Sequence, residues 1–292
     1  MSRIVIIGAS ISGHTAAVKL REIDKGSSIT LLTEESYPLY DRRRFFDFLT
    51  GSIEEKDIFL SNEDFYQRHN INFLKDKKVI SLNTEKRTVY FKEKDSIEYD
   101  YLIIASGRKP TLPEMPGAKK PGVFTLYLLD DYKEFLKYII SESVCVVGSN
   151  QIALSLARAI VSRYKIEVKL ICSENLGETD SEGIEILNIP LQEIIGEGSA
   201  QAIKLKSGKV IGVSCVIFMD EFKGNIDFLR NTDIEIYEDS IRVNDKMQTN
   251  IEGIFASGAV ATSKDTIIRL KSWDEAVNDS LCLVDKLRQR EL

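Results

Sequence analysis

The sequence predicts an α/β protein whose parallel sheets alternate with helices, and three observations carry that prediction. A continuous apolar run, Arg3–Ile7 (RIVII), leads into a glycine turn, and a helical stretch and a second strand follow. The same order returns at Ser143–Val147, Gly148, Gln151–Arg163 and Glu167–Cys172. An acid closes each copy at equal spacing: Gly8 to Glu34 is 26 residues, and Gly148 to Glu174 is also 26. A repeated strand–turn–helix–strand unit in a chain of 292 residues implies two domains, each with its own core.

In the first copy, Gly8-Ala9-Ser10-Ile11-Ser12-Gly13 forms the turn, His14–Ile23 continues as a helix, and Ser28–Thr33 is the next strand. A turn of this kind sets a pyrophosphate against the N–H groups of a helix N-terminus, and a following acid binds a ribose hydroxyl. Gly8, Ser10, Ile11, Ser12, Gly13 and Glu34 are therefore candidate cofactor-binding residues. The fold expected is two Rossmann-like, three-layer dinucleotide-binding domains. Between the copies, Val89–Phe91 and Glu98–Ile104 read as a hairpin, and Pro110–Gly122 as a crossover rich in Pro and Gly. Ala202–Leu205 and Val210–Phe218 flank Ser207-Gly208 as another hairpin, and Ile251–Ser257 is a strand ending at Gly258. Trp273–Leu292 is helical by the apolar spacing of Ala276, Val277, Leu281, Val284 and Leu287.

Composition narrows the function classes. A net charge of −6 argues against nucleic acid as a partner, because no positive field is available to displace counterions. No apolar run approaches the roughly 20 residues that span a membrane, and no basic leader with a cleavage site precedes the first strand, so a cytoplasmic location is expected. Cys145, Cys172, Cys215 and Cys282 are widely separated, which excludes a local redox dithiol or zinc knuckle and leaves small buried thiols as the expectation. His14 and His69 are too isolated to suggest a metal site.

Four further segments carry a resemblance. They are Tyr37-Pro38-Leu39-Tyr40-Asp41-Arg42, Ala105-Ser106-Gly107-Arg108-Lys109-Pro110, Thr249–Ala261 (TNIEGIFASGAVA), and Arg269–Ala276 (RLKSWDEA). Together with the two glycine turns, they resemble the FAD-dependent reductases of the pyridine nucleotide-disulfide oxidoreductase superfamily. The rubredoxin- and ferredoxin-reductase group and the N-terminal region of NADH-dependent nitrite reductases are the branches most similar. The resemblance implies an FAD domain from residues 1–112 and 245–292, with a shortened NAD(P)-binding-like domain, 113–244, inserted into it. It also implies flavin-side roles for Arg42, Ser106, Gly107, Arg108, Gly258 and Ala259. Trp273 is either a flavin-edge residue or a core aromatic at a helix start. The C-terminal interface domain of the family is expected to be absent.

The chain departs from that pattern at several places. Ser10 replaces the middle glycine of the first turn. Ala259 replaces an aspartate, a loss of roughly 1.5–3 kcal/mol if nothing substitutes for its hydrogen bond. In the second copy Gly148 keeps the bend and Ala153 is tolerated, but Asn150 is expected to project where a pyrophosphate would pass. Ser155 and Asp47 replace a Glu–Lys pair, and Glu221 replaces a glycine, adding a repulsive acid. The expected protein is thus an FAD-binding oxidoreductase that exchanges electrons with an iron–sulfur or other redox protein, as a subunit of a heteromeric complex. NAD(P)H binding through Gly148, Asn150, Ala153 and Glu174 is expected to be degenerate. The alternatives are an NAD(P)H-dependent rubredoxin or ferredoxin reductase and a non-catalytic scaffold relative.

Overall fold

The computed structural model describes residues 1–138, 143–173, 182–263 and 270–288. Glu174, the proposed terminal acid of the second copy, and Arg269 lie outside the described residues. The chain divides into two compact units, one of Met1–Tyr40, Phe59–Arg108 and Lys223–Leu292, the other of Asp41–Ile58 and Lys109–Phe222. Its helices are α1 (Ile11–Ile23), α2 (Phe45–Thr50), α3 (Glu63–Arg68), α4 (Leu129–Tyr138), α5 (Gln151–Tyr164) and α6 (Trp273–Arg288).

The first unit is three-layered. Its five parallel strands lie in the order Ile254–Ala256, Tyr101–Ile104, Arg3–Ile7, Ser28–Leu32, Ile71–Leu74. Because successive strand side chains point to opposite faces, the central strand feeds two cores. Ile4 and Ile6 pack with Ala16, Ala17 and Leu20 of α1 and with Leu283 and Leu287 of α6. Val5 and Ile7 pack on the other face with Val89 and Phe91 of an antiparallel three-stranded sheet and with Phe228 and Ile241. A run buried on both faces has to be apolar throughout, which is why RIVII shows no alternation.

The second unit repeats the plan. Its five parallel strands lie in the order Ile184–Leu187, Glu167–Ile171, Ser143–Val147, Cys215–Phe218, Val123–Phe124. Helix α5 buries Ala153, Leu154, Leu156, Ala157, Ala159 and Ile160. Cys145, Val216 and Phe218 pack with Leu191, Ile203 and Leu205 of a second antiparallel three-stranded sheet.

Both expected hairpins are shorter than the sequence suggests, for one reason. Thr88–Phe91 pairs with Ser96–Glu98, and Ala202–Leu205 pairs with Val210–Gly212, each antiparallel. The apolar runs that follow, Tyr101–Ile104 and Cys215–Phe218, leave the hairpins and enter the parallel sheets, where both faces are covered. The unit boundaries also differ from the expected 1–112, 113–244 and 245–292. Residues 41–58 group with the second unit, where Phe45 packs on Tyr132 at 4.4 Å between ring centroids and Lys133 pairs with Glu55 at 2.8 Å. Residues 223–244 group with the first, where Ile241 pairs with Ala261 and Phe228, Leu229 and Val243 enter the core.

In α6 the buried face is Ala276, Ser280, Leu283, Val284 and Leu287, so it includes a serine and leaves Val277 and Leu281 half-buried. Among the described residues no helix is long and apolar enough to cross a membrane, and no group of three His, Cys, Asp or Glu side chains is placed to hold a metal ion.

His14 on α1 sits against Phe65 and accepts or donates a 2.9 Å hydrogen bond with the buried Tyr66 hydroxyl. Burial, with His69 nearby, pulls its pKa down from 6.5 to about 4. The folded value lies below the unfolded one, so protonation favours the unfolded chain. The stability owed to neutral His14 is complete above pH 6.5 and is lost as pH falls toward 4; in full it amounts to roughly 3 kcal/mol. His14→Gln is expected to flatten the fall in unfolding free energy across that window, measured in urea, whereas parallel pH curves for the two proteins would exclude His14 as the source.

Candidate cofactor site

Three loops of the first unit converge at the carboxyl ends of adjacent parallel strands: residues 8–13, 105–107 and 257–259. In open parallel sheets this edge is where ligands bind. Gly8 has φ +104°, and a Cβ on it would lie 2.3 Å from the Ala105 carbonyl oxygen. A Cβ on Gly13 would lie 1.8 Å from the Gly8 carbonyl oxygen. Neither position admits a side chain, so the turn closes against the sheet and points the start of α1 outward.

The first N–H groups of a helix have no intrahelical acceptor. Ser10 is the N-cap of α1, yet its side chain makes no capping hydrogen bond. The donors of Ile11 and Ser12 thus lie at an uncapped N-terminus with the dipole favouring an anion. Beside them the Ser106 hydroxyl is buried without a hydrogen-bond partner. An open anion-binding turn with an unsatisfied hydroxyl next to it fits the phosphates and sugar chain of a dinucleotide such as FAD.

A serine cluster fixes this site from below. Ser12, Ser257 and Ser280 are all buried, and the Ser12 hydroxyl lies 2.6 Å from that of Ser257 and 2.9 Å from that of Ser280. The Ser280 hydroxyl also lies 2.9 Å from the Ser12 carbonyl oxygen. Helix α1, the end of strand Ile254–Ala256 and α6 are thereby joined. Nothing in the glycine motif announces this; the signal was Ser280 standing in the apolar stripe of α6.

Glu34 lies two residues beyond its strand, exposed, with Lys78 at 3.8 Å. Gly258 opens a short helical turn, and its N–H donates to Asp279 of α6 at 3.1 Å. Asp279 also pairs with Lys271 at 2.6 Å, both side chains being 14% exposed. Ala259 carries no carboxylate, but the loop has one on it from α6, which the motif alone does not reveal. Trp273 is half-buried as the first residue of α6.

The two expected flavin-side arginines each contact other side chains of the protein. Arg108 is buried, and its guanidinium donates to Asp239 at 2.6 and 2.7 Å and to the Ser240 hydroxyl at 2.7 Å. A buried cation demands a carboxylate partner, and the hairpin at 236–242 supplies it. Gly107 has φ +68° and its carbonyl accepts from Asn225 N–H at 2.9 Å. Arg42 belongs to the second unit, where its guanidinium lies 4.3 Å over the Tyr127 ring.

The second unit's glycine turn is built differently. Gly148 lies outside the left-handed region, and a Cβ on it would meet the Ala153 methyl at 2.7 Å. The Asn150 side chain turns back onto the start of α5. Asn150 is the N-cap of α5: its Oδ1 accepts from Ala153 N–H at 2.9 Å, and its Nδ2 donates to the Met219 carbonyl at 2.6 Å. Asp220, the neighbour of Glu221, accepts the Ser149 N–H at 3.0 Å. Glu221 is exposed and uses its carbonyl to accept from Thr111 N–H at 2.9 Å. All four cysteines are free, and burial pushes each thiol above its ordinary pKa.

A family model described as pyridine nucleotide-disulphide oxidoreductase matches residues 2–280. The chain belongs to that family. It is 29% identical over 281 residues to an NADH oxidase of Methanocaldococcus jannaschii, covering 88% of this chain and 62% of that protein. It is 28% identical over 263 residues to an NADH-rubredoxin oxidoreductase of Clostridium acetobutylicum, covering 89% and 68%. The covalent putidaredoxin reductase–putidaredoxin complex contains a chain of the same fold, with a TM-score of 0.89 at 19% identity, covering 99% of this chain and 75% of that one. The chain therefore spans about two-thirds of the length of these curated relatives. Membership makes it a relative of FAD-dependent oxidoreductases and agrees with the two-unit α/β architecture.

Gly13→Ala is expected to lower unfolding free energy by about 3 kcal/mol through overpacking against Gly8 and to lower the flavin content of purified protein; unchanged values for both would show that the turn relaxes. Arg108→Ala leaves the Asp239 carboxylate without its partner and is expected to cost about 3 kcal/mol, read from urea unfolding. If Arg108 instead contacted cofactor, the variant would lose flavin at unchanged stability.

Proposed function

We propose that this chain is an FAD-dependent oxidoreductase that exchanges electrons with an iron–sulfur or other redox protein, and that NAD(P)H is a poor direct donor to it. The observation that carries the reading is the uncapped turn of the first unit beside the unpartnered Ser106 hydroxyl. The first unit is the FAD domain in this reading. The N–H groups of Ile11, Ser12 and Gly13 would hold the pyrophosphate, Glu34 a ribose, and the 106–107 and 258–259 loops the remainder, with Trp273 at the flavin edge. Bound FAD supplies the exchange of electrons; the protein positions it, shields it and sets its charge environment. Within that environment, the Lys271–Asp279 pair places a matched cation and carboxylate at the 258–259 loop.

The protein partner is supported by the name of the Clostridium acetobutylicum relative, an NADH-rubredoxin oxidoreductase. A cytoplasmic heteromeric assembly is the setting proposed. The part concerning NAD(P)H is supported by Asn150, Ser155 and Glu221, which depart from the family pattern in the second unit. A second reading has one observation in its favour. Both curated relatives carry NADH in their names, so direct reduction by NAD(P)H, followed by transfer to a rubredoxin- or ferredoxin-like protein, is the competing function.

Purified protein is expected to show a flavin absorption band that dithionite bleaches and that anaerobic NADH or NADPH bleaches only slowly. Rapid stoichiometric bleaching by either nucleotide would establish the second reading. Protein that is colourless and cannot be reconstituted with FAD would reject both and leave a scaffold.

A further inference from the structure

The two glycine turns of this chain each open a helix after a parallel strand, and they differ in what occupies their donors. In the first unit the N-cap side chain of α1 leaves the helix start open. In the second, Ser149 N–H donates to the Asp220 carboxylate at 3.0 Å, and Ala153 N–H donates to the Asn150 side-chain oxygen at 2.9 Å. The Asn150 amide is braced in turn by the Met219 carbonyl at 2.6 Å. Met219 and Asp220 are consecutive, so one strand end supplies both locks. The remaining polar side chain of the turn is engaged as well: the Ser149 hydroxyl lies 2.9 Å from that of Ser173 and accepts the Ser173 N–H at 2.8 Å.

We propose that Asp220 and Asn150 make the second glycine turn self-liganded, and that Asp220 is the residue that excludes a dinucleotide from the second unit. A pyrophosphate needs the turn's N–H groups and the positive end of the helix. Here a carboxylate of the same sign already holds one donor, and an amide oxygen holds another. An incoming nucleotide has to displace the amide and still meets the charge of Asp220, whether or not that exposed carboxylate stays hydrogen-bonded. The self-supplied acceptors also explain how the turn keeps its form without a ligand. This inference rests on, and deepens, only the part of the proposed function that concerns NAD(P)H.

The test is direct titration of the full chain with NADH and with NADPH, followed by the nucleotide's own fluorescence, which needs no flavin. The proteins are the parent, Asp220→Asn, Asp220→Ala and the double variant Asn150→Gly/Asp220→Ala. The parent is expected to show no saturable binding below millimolar nucleotide. Asp220→Asn, which removes only the charge, is expected to recover part of the affinity, and the double variant to bind about tenfold tighter than the parent or better. Binding by the parent at micromolar nucleotide overturns the proposal. So does a double variant that gains nothing while thermal unfolding shows it folded; if it does not fold, an Asp220→Asn protein that binds no tighter than the parent overturns it instead. Flavin absorbance on the same samples keeps the two readings apart. Colourless protein whose variants gain nucleotide binding would reject the flavin reading and leave this one standing.

Discussion

The contact on which the first unit depends is the approach of Gly13 to the Gly8 carbonyl. With only 1.8 Å available where a Cβ would stand, helix α1 can settle on the sheet only if position 13 has no side chain. That contact sets the angle at which the helix leaves the strand, and so where its free N–H groups point. The rest of the edge is arranged around it. Ala105 closes over Gly8, and the hydroxyls of Ser12, Ser257 and Ser280 satisfy one another in a site too buried for solvent to do so. Three loops far apart in sequence are thereby held as one surface.

A buried cation is held by opposite charge in each of the two units. Arg108 is held by Asp239 and Ser240, and Lys169 by Glu167 and Glu185. Removing one partner from such a pair costs more than the pair itself contributes, because the remaining charge stays desolvated. These groups therefore support the loops, and their charge is not free for chemistry. The polar group left open at the first site is a hydroxyl, Ser106, beside an uncapped helix. A site of that kind binds and orients a cofactor; the reactivity has to come from the group it binds.

The two units show how one plan diverges by exchanging acceptors. Each carries a five-stranded parallel sheet, a helix launched from a glycine turn and an antiparallel three-stranded sheet across the other face. The hydrophobic constraints that build those layers are indifferent to whether a nucleotide is held. Asn150 costs the fold nothing, because an asparagine at an N-cap satisfies a helix donor that would otherwise need a ligand or water. In the proposed reading, architecture persists while the ligand's place is filled from within.

Much of this was legible in the chain itself. The RIVII and SVCVV runs, the glycines at 8 and 13 and the equal spacing to the acids determined two parallel-sheet units, since a strand buried on both faces must be apolar and a helix starting at a sheet edge needs a bend. The hairpins were overextended because apolar runs beyond Glu98 and Gly212 read alike whether they pair antiparallel or enter a covered sheet. Residues 41–58 group with the second unit, which their sequence does not announce because local pattern does not say which core a short helix joins. What only the tertiary structure decided was where polar groups meet. The direction of the Asn150 side chain, the carboxylate of Asp220 on Ser149, the hold of Asp239 on Arg108 and the serine cluster all join residues distant in sequence. Hydrogen bonds are short and directional, so which donors a fold leaves open depends on atoms that only folding brings within 3 Å.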